Sequence, residues 1–172
     1  MKQGFGLALA LCCLGSIGAF LDIPVQQDFF WKKLVGKWYP GAMAKQYPLE
    51  RTMYAYTTQP LSNGDLVLKI DIPRDGDCRR KRLVLYALKL AIFETEDGKI
   101  TFYFVETDYE TYHIVYVEME DEHFLHLYTK EEAPPEEAKE RFLALAQNLN
   151  FQSDRIYYAN QMGLCTSPPE DV

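Results

Sequence analysis

From residue 36 onward, apolar and polar positions alternate in short runs bounded by turn residues, the period-two pattern of half-buried strands. The clearest run places Leu66, Leu68, Ile70 and Ile72 on one face and Val67, Lys69 and Asp71 on the other. Such runs predict eight strands, over residues 36–45, 51–59, 65–72, 78–86, 90–95, 100–106, 111–119 and 122–130. Asn63-Gly64 and Asp97-Gly98 mark hairpin turns, and Glu120-Asp121 separates the last two strands. Pairing Ser62 with Asp65 sets Thr57 opposite Ile70 and Ala55 opposite Ile72, so Met53, Ala55 and Thr57 join the face of Leu66. Pairing Glu96 with Lys99 sets Phe93 opposite Phe102 and Ala91 opposite Phe104. Pairing Met119 with Glu122 puts His113, Val115, Val117, Phe124, His126 and Tyr128 on one face, with Ile114, Tyr116, Leu125 and Leu127 behind. Both faces are apolar, so each needs a cover.

Past residue 130 the period changes. Pro134-Pro135-Glu136-Glu137 opens a helix, with proline at the entry and acids in the first turn. Ala138, Phe142, Leu145 and Leu149 recur at helical spacing to about residue 150 and supply the outer cover. A short strand at 155–159 follows. Eight strands joined mainly by short connections close most simply as an all-β, antiparallel up-and-down barrel, with one C-terminal helix packed outside. Such a barrel holds either packed side chains or one small ligand. Gly36-x-Trp38 suits its closed end, where the chain enters tightly and one large ring plugs the bottom.

Composition narrows the class. The 172 residues, 48% hydrophobic and 25% charged, fit one globular domain. Residues 1–18 read as a secretory signal peptide: Lys2, an apolar run over 7–14, and Ser16-Ile17-Gly18 at the cleavage site. The run is too short for a permanent anchor, so residues 19–172 are expected to form a secreted single domain without membrane insertion. The formal charge is −7 and becomes one unit more negative without Lys2. An acidic protein repels phosphate backbones, so nucleic acid is not an expected partner. Arg79-Arg80-Lys81-Arg82 reads as a locally balanced strand rather than a heparin or membrane patch. The leader carries Cys12 and Cys13, which leaves Cys78 and Cys165; in an oxidising compartment two such cysteines most simply form one bridge. None of the four later asparagines begins an N-x-Ser/Thr site.

The signal peptide, Gly36-x-Trp38, eight strands, Thr107-Asp108-Tyr109 between the sixth and seventh, and the trailing helix together resemble a lipocalin. Leu21-Asp22-Ile23-Pro24, Gly36-Lys37-Trp38-Tyr39, Ala42-Met43-Ala44 and Gly64-Asp65-Leu66 look like its β-lactoglobulin and glycodelin branch. The resemblance implies that Gly36, Trp38, Thr107, Asp108 and Tyr109 meet at the closed end, and that Cys78 and Cys165 are bridged. The family's third motif ends in an arginine that stacks on the tryptophan; Lys130 stands there instead, keeping the charge without the planar guanidinium.

The expected function is transport of a small hydrophobic ligand of the fatty acid, retinoid or steroid class, with no cofactor and no metal. The expected lining is Met53, Ala55, Leu66, Leu68, Ile70, Lys81, Leu83, Phe93, Phe102, Phe104, His113, Val115 and Tyr128. Lys81 matches, counted from Cys78, a mouth lysine that anchors fatty-acid carboxylates in β-lactoglobulin-like lipocalins; a solvated rim lysine paired with a loop acid is the other reading. Loops at Tyr47-Pro48, 73–77, 96–98 and 120–121 surround the mouth, and most of their charges are acidic. The alternative is a glycodelin-like signalling protein acting through a cell-surface receptor, although that branch depends on glycans. One lipocalin branch is a prostaglandin isomerase that needs a thiol inside the barrel. With no such thiol expected and no Ser–His–acid grouping legible, the chain is expected not to be an enzyme. It reads as a monomer or homodimer.

Overall fold

The computed structural model describes residues 22–47, 52–74, 77–159 and 170–171. The expected signal peptide, Cys165, Pro48 and Asp75 lie outside them. Eight strands run Gly36–Lys45 (β1), Tyr56–Pro60 (β2), Leu66–Arg74 (β3), Asp77–Lys89 (β4), Ile92–Glu94 (β5), Ile100–Thr107 (β6), Tyr112–Met119 (β7) and Glu122–Thr129 (β8). The helix Glu136–Asn148 (α1) follows, then Ile156–Tyr158 (β9) and Glu170–Asp171 (β10). Each of β1 to β8 pairs antiparallel with its neighbours. β1–β8 and β4–β5 pairings close the barrel.

β1 serves two sheets. Gly36 to Trp38 pair with β2, whereas Tyr39 to Lys45 pair with β8 across a register shift at Pro40-Gly41-Ala42. Proline has no N–H to give a ladder, so a break at Pro40 removes little. Where β2 has left, β9 takes the free edge at Ala42 to Ala44.

Alternation then builds two cores. Trp38, Met43, Leu66, Leu85, Phe93 and Phe104 pack inside the barrel. Ala42, Ala44, Ile114, Leu125 and Leu127 point outward and are covered by Ala138, Phe142 and Ala146 of α1. Small alanines on β1 let the helix approach. The buried stripe ends on Ala146 and Leu149, with Leu145 only partly buried, a small rotation from the expected one. Arg141 of the helix also grips Glu106 of β6, its Nε donating at 2.8 Å.

The second strand corrects the expected register. Tyr56, not Thr57, lies opposite Ile70, and Thr58 faces Leu68. Leu61 N–H donates to Asp65 C=O and Gly64 has φ +101°, so the loop holds three residues with a left-handed glycine, not a two-residue Asn-Gly turn. One residue of slip turns every β2 side chain over. The Phe93–Phe102 and Met119–Glu122 pairings form as expected.

Candidate functional site

The closed end is built first. Trp38 is fully buried, and its indole N–H donates to Thr58 Oγ1 at 3.1 Å. Lys130 lies across the ring, Nζ 3.7 Å from its centroid, and donates to Val35 C=O. Burial pushes this ammonium below its ordinary range. Gly36 has φ +97°, and an added Cβ there would come 3.1 Å from Lys130 Nζ, so the backbone geometry and the close approach both favour glycine. On the other side of the base, Asp108 accepts the N–H groups of Glu110, Thr111 and Tyr112, and Thr107 Oγ1 accepts from Tyr109 N–H. Burial alone would raise the Asp108 carboxyl, but the Thr111 hydroxyl, which also donates to it, and these N–H groups hold it below the usual range.

Above Trp38 sits an aromatic floor. His113 meets Trp38 edge-on at 4.4 Å, lies parallel to Tyr128 at 5.3 Å, and shares a 2.5 Å hydrogen bond with Tyr56 through Nε2. Burial is the main reason His113 is held at about 3, with Lys130 and His126 adding to it. Burial likewise pushes the Tyr56 and Tyr128 hydroxyls upward, so all three groups are neutral near pH 7. Phe29, from the segment before β1, stacks on Phe104 at 5.0 Å and completes the plug.

Between floor and mouth lies a cavity of about 300 Å³. Met53, Leu68, Ile70, Lys81 and Leu83 line it on one side, Phe102, Phe104, Val115 and Tyr128 on the other. Four expected lining residues do not. Leu66, Phe93 and His113 point inward but are consumed in the packed base, and Ala55 is displaced by the β2 slip. Tyr56 takes the place expected of Ala55, and Thr52, Tyr54, Ile72, Ile100, Val117, Met119 and His126 complete the wall. An adjoining space of about 140 Å³ shares Val117, Met119 and His126 with the main cavity. The Glu120 N–H donates to Lys99 C=O, which gathers the acidic 96–98 and 120–121 turns at the mouth. Lys81, opposite Ile70, is exposed and makes no ion pair with a described residue.

His123 lies outside the barrel, stacked on Tyr116, and no three metal-ligating side chains converge among the described residues. No described helix is long and apolar enough to cross a membrane.

Residues 35–163 match the Lipocalin / cytosolic fatty-acid binding protein family. Epididymal secretory protein 4 of Zootoca vivipara is 31% identical over 146 residues, covering 81% of this chain and 83% of that protein. Prostaglandin-H2 D-isomerase of Bos taurus is 26% identical, covering 92% and 94%. The solved structure of the siderocalin Ex-FABP superposes with a TM-score of 0.66 at 18% identity, covering 81% of this chain and 99% of that one, a likeness of fold. The expectation that the chain is not an enzyme is corrected by this comparison, because relatives aligned along nearly its whole length carry an enzyme's name. The closed barrel, its plugged base and the match over residues 35–163 place the chain in the lipocalin and fatty-acid-binding protein family.

Proposed function

We propose that the chain is an extracellular carrier of a long apolar molecule that ends in a carboxylate. One observation carries this reading: among the described residues, Lys81, at the mouth, is the single charged side chain lining a mainly apolar and aromatic cavity. An exposed ammonium on a flexible stem can hold an end group while the chain packs below. The resemblance to β-lactoglobulin-like mouths supports the same role. Secretion is supported by the leader-like start and by a relative named as a secretory protein. A Cys78–Cys165 bridge is supported by β10, which runs parallel to β4 at Arg79 and Arg80, beside buried Cys78.

The test compares Lys81→Met with the parent for a fatty acid and its methyl ester. Acid affinity should fall about three- to tenfold while ester affinity stays level. Equal effects on both, or none, would eliminate the anchor and leave a neutral ligand.

A second reading is favoured by the isomerase relatives: conversion of an oxygenated lipid in the same cavity. Incubation with prostaglandin H2 and product analysis tests it. Formation of prostaglandin D2 no faster than in buffer would dismiss it.

A further inference from the structure

His126 stands apart from the other histidines. It projects from β8 between Met43 and Val115 and lines both the main cavity and the adjoining space. Its Nε2 is buried and has no hydrogen-bond partner. His113 also carries an unpartnered nitrogen, but that ring is sealed in the base, where nothing can reach it. Among the described residues, only His126 combines a buried, unpartnered side-chain nitrogen with a place on the cavity wall.

We propose that the barrel selects ligands bearing an uncharged hydroxyl part-way along an apolar chain, hydrogen-bonded to Nε2 of His126. This rests on the carrier reading above and adds a second recognition point to it. The chemistry of the wall restricts what that group can be. Burial and nearby Lys45 keep the His126 ring unprotonated at physiological pH, and the Tyr56 and Tyr128 hydroxyls below are neutral too. An anion seated at that depth would lose its hydration against a lining whose one charged side chain among the described residues, Lys81, stands at the mouth. A hydroxyl both donates and accepts, so it satisfies Nε2 in either ring tautomer. A bare methylene leaves the nitrogen unpaired or displaces a water without replacing its bond.

Stearate, 10-hydroxystearate and 12-hydroxystearate, titrated against the purified full chain by calorimetry, decide the matter. At least one hydroxy acid should bind about fivefold or more tightly than stearate. His126→Phe should erase that preference, and His126→Gln, which keeps a hydrogen-bonding group, should retain part of it. Equal affinity of all three for the parent, or a preference that survives in His126→Phe, overturns the proposal. The parent series needs no variant, so a poorly folding His126→Phe does not spare it. If stearate binds without preference, this inference fails and the carrier reading stands. If no fatty acid binds, both fail.

Discussion

Acid should weaken this fold well before its carboxylates protonate, because buried His113 and partly buried His126 both resist protonation in the folded state. His113 and His126 are each held at about 3, against about 6.5 for an ordinary imidazole. As pH falls through the ordinary value, the unfolded chain binds protons that the folded chain refuses. The stability these groups contribute is therefore full above about pH 6.5 and declines as pH falls toward about 3. Linkage removes about 2 kcal/mol per histidine between pH 7 and pH 5, hence about 4 kcal/mol for the pair. The Glu106 and Asp108 carboxyls, which their hydrogen bonds hold low, contribute to acid loss mainly below about pH 5, so the window from about pH 7 to 5 reads chiefly the histidines. His113→Gln keeps a partner for the Tyr56 hydroxyl while removing one titration, and should lose only about half as much stability across the window. Urea unfolding followed by tryptophan fluorescence at pH 7, 6 and 5 measures both proteins. A parent whose stability is flat over that range refutes the reasoning. So does a His113→Gln variant that falls as steeply as the parent.

Two further predictions concern the base and the tail. Gly36→Ala forces a side chain into a left-handed conformation beside Lys130 and should lower unfolding free energy by about 1–3 kcal/mol, which denaturant titration would show or dismiss. Non-reducing peptide mapping should recover Cys78 joined to Cys165, and reduction should cost about 4 kcal/mol in the chain-entropy account; two free thiols would end that proposal.

The alternation of apolar residues made the strand order, the closed barrel and the outer helix legible, because a period of two with both faces apolar has few solutions. Local turn chemistry was less transparent. Asn63-Gly64 satisfies the pattern of a two-residue turn, yet Leu61 reaches Asp65 and Gly64 alone takes the left-handed position. That difference of one residue exchanged Ala55 for Tyr56 and so brought a buried hydroxyl to His113. Phe29 left no periodic trace, since it enters the base from an irregular segment ahead of β1.

Period two also assigns a face but not a depth, and depth decides which inward residues meet a ligand. Leu66, Phe93 and His113 face inward as surely as Leu68, Phe102 and Val115, but they sit level with Trp38, where large rings fill the space. The lysine in place of an arginine leaves that base intact. Lys130 still covers the indole at 3.7 Å, and one of its N–H groups donates to Val35 C=O, so charge and hydrogen bonding survive without the guanidinium plane. A base closed by Trp38, His113, Tyr56 and Tyr128, with the indole N–H bonded to Thr58 and the Tyr56 hydroxyl to His113, is a packed floor beneath the cavity. On the carrier reading, the depth to which a ligand enters is therefore set by this aromatic floor, and its orientation by Lys81 at the mouth.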